Sequence, residues 1–194
     1  MTPPEDDALA VALEVLDALL AAGIPCALGG AHALGLWGVP RGTTDADIGT
    51  FVGAEDHARL VDALIGAGVT LERERALDQA REGDTIVGWR RGFRVDVFVP
   101  SIPFHDDLAR TVRQVRVQGR DLPVISPESL AVLKLLFFRA KDLVDLTMLV
   151  QAQGARLDHA WVRGWVVRMV GEDDERVREW DRIVAVHAPR EEGA

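Results

Sequence analysis

Three carboxylates stand where divalent-metal chemistry could be done. Asp45 and Asp47 are one residue apart in Thr43-Thr44-Asp45-Ala46-Asp47-Ile48, and Asp96 interrupts the apolar run Val95-Asp96-Val97-Phe98-Val99. If residues 44–52 form a strand, positions i and i+2 share a face, and Asp45 and Asp47 project side by side. Two like charges that close raise each other's pKa unless a cation lies between them. In residues 93–99, Val95, Val97 and Val99 alternate onto one face and Asp96 falls on the other. An ionised carboxylate there is costly without a partner. An exposed edge-strand position, a salt bridge to Arg41 or Arg94, or a shared metal would each remove that cost. Gly29-Gly30, about fifteen residues before the aspartates, mark a strand-to-helix turn. Lacking side chains, they let backbone N–H groups at the start of the next helix approach a phosphate, although a plain turn uses the same residues.

Carboxylates for a divalent metal beside a backbone phosphate site suit phosphoryl and nucleotidyl transfer. Three carboxylates can hold two Mg²⁺ ions, one lowering the pKa of an attacking hydroxyl and the other binding a triphosphate and its leaving group. Asp96 is also a candidate general base. Hard oxygen donors favour Mg²⁺ or Mn²⁺ over zinc.

The elements that must position these groups follow from periodicity and punctuation. A first helix is expected over residues 4–22, with Thr2 as cap, Pro3 and Pro4 in its first turn and Gly23 ending it. A short strand over 26–28, a short helix over 31–37, a turn at 40–42 and the Asp-x-Asp strand come next. A helix over 54–67 precedes strands over 69–75, 85–90 and 93–99, the last two joined by Arg91-Gly92 as a tight hairpin. A further strand is expected over 112–118. Ser126-Pro127-Glu128-Ser129 then opens a helical region with a cap, a proline in the first helical position and acidic support. Helices are expected over 127–140, 141–153, 158–170 and 173–188, with a frayed tail after Pro189. The order implies an α+β fold: a catalytic core over residues 1–125 and a helical C-terminal region over 126–194 packed on it.

Composition narrows the function classes. The 194 residues, 48% hydrophobic and 27% charged, suit one globular domain with a small helical appendage. One cysteine, Cys26, permits no internal disulfide, fits a cytoplasmic protein and reads as a small buried hydrophobe. The acidic start (Glu5, Asp6, Asp7) is the reverse of a signal peptide, and no segment is long enough to span a membrane. Net charge is −9, distributed as −8 over residues 1–70, +2 over 71–120 and −3 over 121–194. That is not the balance of a general nucleic-acid coat protein, though the middle third leans slightly towards an anionic partner such as RNA.

Other groups point away from alternative chemistries. His32, His57, His105, His159 and His187 form no metal-spaced cluster. No Ser-His-Asp or Cys-His arrangement stands out. His32 lies by the glycine turn, where it caps, packs or touches a nucleotide. Trp161 and Trp165, four apart, read as helix-packing residues rather than a base-stacking platform. Lys134 is one of only two lysines beside twenty arginines. Among Leu130, Leu133, Phe137 and Phe138 its ammonium either snorkels outward or meets an anion. Asp142 and Asp145 share a helix face, and a structural ion pair with Lys134 or an arginine is favoured over a direct catalytic role.

Taken in order, Leu28-Gly29-Gly30-Ala31, Arg41-Gly42-Thr43-Thr44-Asp45-Ala46-Asp47 and Val95-Asp96-Val97 resemble the signature of the nucleotidyltransferase superfamily with the polymerase-beta-like fold. The resemblance is closer to its small bacterial branch of AbiEii-type toxins and related nucleotidyltransferases. It continues at Ser126-Pro127-Glu128-Ser129-Leu130-Ala131-Val132-Leu133-Lys134 and at Arg139-Ala140-Lys141-Asp142-Leu143-Val144-Asp145-Leu146, and so spans residues 27–149. It implies a mixed β-sheet core flanked by helices, Asp45, Asp47 and Asp96 as metal ligands and catalytic carboxylates, and Gly29 and Gly30 as the phosphate loop. It also implies Lys134 near the nucleotide phosphates. Many members carry a serine after the glycines, where this chain has Ala31 and His32, so phosphate binding would depend more on backbone N–H groups with Arg41 or Thr44.

The activity implied is metal-dependent transfer of a nucleoside monophosphate from a nucleoside triphosphate such as ATP to a hydroxyl acceptor, with release of pyrophosphate. RNA, a small molecule and a protein side chain all present such a hydroxyl. The competing expectations are a nucleotide-binding or regulatory module without chemistry, paired with a cognate toxin or antitoxin protein, and a purely structural domain.

Overall fold

The computed structural model describes residues 7–83, 85–117 and 119–188. Helix α1 (Ala8–Ala21) starts where the Asp7 carboxylate accepts the Ala10 N–H at 2.6 Å, which satisfies one of the donors a helix start leaves over. The expected cap and first turn, Thr2 with Pro3 and Pro4, lie outside the described residues, as does the tail after Pro189. Val11, Val15, Leu16 and Leu19 are fully buried along one helical stripe.

The elements that follow are β1 (Cys26–Leu28), α2 (Gly30–Leu36), β2 (Asp45–Thr50), a 3-10 turn at Ala54–Asp56, α3 (His57–Gly66), α4 (Arg73–Glu82), β3 (Ile86–Arg90), β4 (Phe93–Phe98), α5 (Phe104–Arg110), β5 (Arg113–Val117) and β6 (Arg120–Val124). The chain closes with α6 (Pro127–Phe137), α7 (Ala140–Gln153), a 3-10 turn at Gly154–Arg156, α8 (His159–Val170) and α9 (Glu175–His187). It divides into two units. One holds the sheet and runs up to Ala33 and from Arg41 to Ile125; the other is helical and holds Leu34–Pro40 and the residues from Ser126 onward.

In the sheet unit six strands lie in the order β3-β4-β2-β1-β6-β5. β2 runs parallel to β4 and β1 parallel to β6, while β1–β2, β3–β4 and β5–β6 are antiparallel. The sheet is therefore mixed, as the resemblance implied. α1 packs on β1, β2 and β4, and Glu14 of α1 pairs with Arg90 and Arg91 at the β3–β4 turn at 2.6 Å each. That turn has Arg91 at φ 48° and Gly92 at φ 80°, the two left-handed positions that match the twist of a two-residue hairpin. Cys26 is buried as expected, and burial, helped by the Asp17 charge, pushes its thiol up to about 12.

Three parts of the sequence reading are corrected here. Residues 69–75 are not a strand: Thr70 alone bridges to Trp89, and α4 follows. The Glu72 carboxylate caps α4 by accepting the Glu74 and Arg75 N–H groups, and Gly83 ends it at φ 71°. α5 and β6 were not anticipated. The expected helix over 54–67 is a 3-10 turn followed by α3.

The helical unit starts as its signals required. Ser126 caps α6 by accepting the Ser129 N–H at 3.2 Å, and Pro127 occupies the first turn. Asp158 caps α8 through the Trp161 N–H at 2.9 Å, and Asp174 caps α9 through the Arg176 N–H at 2.9 Å. Val177, Trp180 and Ile183 bury the inner stripe of α9, and the Trp180 Nε1–H donates to the His159 carbonyl at 3.2 Å. Trp161 and Trp165 meet edge to face along α8, with ring centres 6.3 Å apart. Among the described residues, no helix is long and apolar enough to cross a membrane.

Three histidines are expected to make the fold less stable in acid. His32, His105 and His159 are each held below the ordinary imidazole value, chiefly by burial. His105 Nδ1 lies 3.2 Å from the Ser101 and Ile102 N–H groups, which it accepts when unprotonated, and 3.2 Å from the Ile102 carbonyl, to which it donates when protonated. Because the folded values lie below the unfolded one, the unfolded chain binds more protons as pH falls below about 6.5. The stability that neutral rings provide is complete above that pH and lost as pH drops through the folded values. Urea unfolding at pH 7.5 and 5.5 is expected to show lower stability at 5.5, with a smaller difference in His105→Gln.

Candidate active site

The carboxylates are brought together by the parallel pairing of β2 and β4. Ala46, Ile48, Val95 and Val97 are almost wholly buried. That alternation sends Asp45 and Asp47 to the opposite face of β2, and Arg94 and Asp96 to the same face of β4. Register completes the arrangement: Asp47 lies opposite Asp96, and Asp45 opposite Arg94. Neighbouring strands are roughly 4.8 Å apart, so Asp47 and Asp96 leave adjacent points on one surface.

Two like charges side by side need a cation, and here the protein supplies one. Arg94 Nε donates to Asp96 Oδ1 at 2.7 Å. The guanidinium holds its proton more tightly than usual, first through that hydrogen bond, then through the charge of Asp96 and, further off, of Asp45 and Asp47. Sequence reasoning named Arg94 only as one candidate partner for Asp96. The signal that could have promoted it is its position two residues before Asp96, which puts both on one strand face. As these side chains stand, no three His, Cys, Asp or Glu groups among the described residues are gathered to hold a metal ion. The donor chemistry nonetheless fits a hard divalent cation: carboxylate oxygens from two adjacent strands, with Asp96 turned towards Arg94.

The glycine turn lies against Asp47. The Gly29 N–H donates to the Asp47 carbonyl at 2.9 Å, and the Gly29 carbonyl accepts the Ala33 N–H at 3.0 Å. The Gly29 N–H is therefore engaged by the strand that carries the aspartates. Gly30 sits at φ 54°, and a Cβ there would overlap the Asp47 carboxylate. Only glycine accommodates both the left-handed backbone and that close approach. Gly30→Ala is expected to cost about 1–3 kcal/mol in urea unfolding and to displace Asp47.

Arg41 and Thr44 lie on the loop entering β2. Arg41 reaches the Gly42 carbonyl at 3.4 Å, and the Thr44 hydroxyl donates to Asp45 Oδ1 at 3.4 Å. Asp45 N–H donates to the Thr43 hydroxyl at 3.1 Å, which shapes the strand entry. The His32 ring hydrogen-bonds to the backbone of Asp45, and its Nε2 is buried without a partner. His32 thus packs the first turn of α2 against the start of β2.

Lys134 belongs to the helical unit, where its ammonium donates to Asp142 at 3.1 Å and to Asp145 at 2.6 Å. All three side chains are buried, and Arg139 adds a 2.6 Å bond to Asp142. The anion that Lys134 meets in this structure is this carboxylate pair, the structural ion pair that Asp142 and Asp145 suggested. Burial alone would raise Asp142, but the Arg139 hydrogen bond and the Lys134 charge outweigh it and hold that carboxyl below its usual range.

No protein-family model matches the chain. No curated protein matches it either. Solved structures do. The antibiotic-resistance factor ANT(2'')-Ia in solution is 12% identical, with a TM-score of 0.58 over 83% of this chain and 92% of that one. A crystal structure of ANT(2'')-Ia in complex with adenylyl-2''-tobramycin is 16% identical, with a TM-score of 0.57 over 84% of this chain and 99% of that one. TM1012 of Thermotoga maritima, assigned as a nucleotidyltransferase, is 20% identical, with a TM-score of 0.53 over 75% of this chain and 92% of that one. The chain therefore has a mixed α+β fold of the kind found in nucleotidyltransferases.

Proposed function

We propose that the chain transfers a nucleoside monophosphate from a nucleoside triphosphate to a hydroxyl acceptor and releases pyrophosphate, with Mg²⁺ or Mn²⁺ as the metal. The observation that carries this reading is that Asp45, Asp47 and Asp96 share one face of the parallel β2–β4 pair, with the Gly30 turn against Asp47. Asp45 and Asp47 would hold the divalent cation with Asp96 as third ligand. The cation supplies a lowered pKa for the attacking hydroxyl and neutralises charge on the triphosphate. Asp96 would accept the proton of the acceptor hydroxyl. Backbone N–H groups from Gly30 onward, with Arg41 and Thr44 at the strand entry, are the candidate donors to the phosphates.

The experiment is incubation with labelled nucleoside triphosphates, ATP first, in Mg²⁺ or Mn²⁺ with a panel of acceptors. The panel holds RNA including transfer RNA, a protein mixture and hydroxylated small molecules. Aminoglycosides enter it because ANT(2'')-Ia was crystallised with adenylyl-2''-tobramycin. Pyrophosphate release with label on one acceptor supports the proposal, and no release with any acceptor overturns it.

A second reading is a nucleotide-binding module without chemistry. The Arg94–Asp96 ion pair favours it, because it engages the third carboxylate. Nucleotide binding without turnover would support it. The resemblance to the AbiEii-type branch extends either reading to a cognate toxin or antitoxin protein, which co-expression with the neighbouring reading frame would test.

A further inference from the structure

We propose that Arg94 is the resident counter-cation of the carboxylate face, a positioning residue that a divalent cation must displace from Asp96 on binding; this rests on the nucleotidyl-transfer reading of the same site. Arg94 faces Asp45 across the parallel pairing and precedes Asp96 by two residues on its own strand, so the four charged side chains leave one surface. Its Nε–H is bonded to Asp96 Oδ1 at 2.7 Å. The Asp96 side chain is 13% exposed and that of Arg94 43%, so the carboxylate is the enclosed partner and the guanidinium the one that reaches solvent. One positive charge against three negative ones leaves the face at −2, which a single divalent cation balances. With the guanidinium withdrawn, the face carries −3.

A guanidinium and a divalent cation cannot both sit on Asp96 without repelling each other. Two charge units against one at about 6 Å cost about tenfold in affinity even where the medium screens as well as water. Binding of the metal is therefore an exchange. The Arg94 side chain swings towards solvent, which its exposure allows without opening a cavity, and Asp96 turns to join Asp45 and Asp47. In the metal-free protein Arg94 keeps three like charges from pushing β2 and β4 apart.

The test is Mn²⁺ titration of the full chain by calorimetry, with urea unfolding in the absence and presence of Mn²⁺. Arg94→Met and Arg94→Gln, the second keeping a hydrogen-bonding group for Asp96 if the first folds poorly, are expected to bind Mn²⁺ about tenfold more tightly. Both should lose stability without metal and recover it with metal. Arg94→Lys keeps the charge and should bind Mn²⁺ near the wild-type level. Unchanged or weaker Mn²⁺ affinity in Arg94→Gln, with wild type binding and Asp47→Asn not, overturns the proposal alone. Absence of Mn²⁺ binding in wild type and every variant overturns the metal-dependent transfer reading and this proposal with it.

Discussion

On the proposed nucleotidyl-transfer reading, Asp47→Ala is expected to lower transfer about 10³-fold while leaving the chain folded. Asp47 is where the lines of the site cross: it shares a face with Asp45, lies opposite Asp96 in register, and its carboxylate lies against Gly30. On that reading Asp47 ligates the proposed cation, and losing a ligand takes away several kcal/mol of transition-state stabilisation, with about 4 kcal/mol corresponding to 10³ in rate. The effect on stability has a different sign and size. Deleting one of three neighbouring negative charges relieves repulsion, so stability should stay within about 1 kcal/mol of wild type. Single-turnover transfer of labelled nucleotide and urea unfolding separate the two. Wild-type transfer by a folded Asp47→Ala protein would show that the reacting centre lies elsewhere.

Lys134→Ala is expected to destabilise the helical unit by about 3–5 kcal/mol, because it breaks a buried ion pair by removing one partner. The side chains of Lys134, Asp142 and Asp145 are 8%, 1% and 3% exposed, so water cannot take over the role of the ammonium. Against a total stability of about 5–15 kcal/mol for an ordinary domain, that loss brings α6 and α7 close to unfolding. Asp142 keeps Arg139 at 2.6 Å, while Asp145 loses the ammonium at 2.6 Å. Adding Asp145→Asn to Lys134→Ala should therefore recover part of the loss. The pH response follows from Asp142, whose folded pKa is depressed. Its contribution is present above the unfolded carboxyl value and is lost as pH falls through the folded one. Without Lys134 the folded value rises, so acid unfolding should begin at higher pH. Circular dichroism along urea and pH titrations reads both effects, and a stability near wild type would count against the ion pair as the organiser of this unit.

Much of the site was legible in the chain because its spacing is local. A two-residue repeat puts Asp45 and Asp47 on one strand face wherever that strand lies. The alternation of Val95, Val97 and Val99 likewise dictates that Asp96 faces away from them. Ser126-Pro127 announced α6, and Arg91-Gly92 announced the β3–β4 hairpin, because caps and two-residue turns depend on neighbours in sequence. The elements that were misread have weak local signals. α4 is Arg-Glu-Arg-Ala-Leu-Asp-Gln-Ala-Arg-Glu, with only Ala76, Leu77 and Ala80 buried, too thin a stripe to stand out from a polar loop. β6 contains Pro123, which argues against a strand, and is held by its pairing with β5.

The sequence by itself determined that this chain builds an α+β fold with two aspartates one residue apart on a strand, a glycine turn upstream, a third carboxylate on another strand and a helical C-terminal region. Local periodicity, caps and turns carry those facts. Only the tertiary structure decided that β2 and β4 run parallel and in register, which sets Asp47 beside Asp96 although 48 residues separate them. It alone decided that Arg94 is the cation on that face and that Lys134 is taken by Asp142 and Asp145. Register and ion-pair choice depend on which distant segments meet, and a positive side chain goes to whichever carboxylates the fold brings within reach and shields from water.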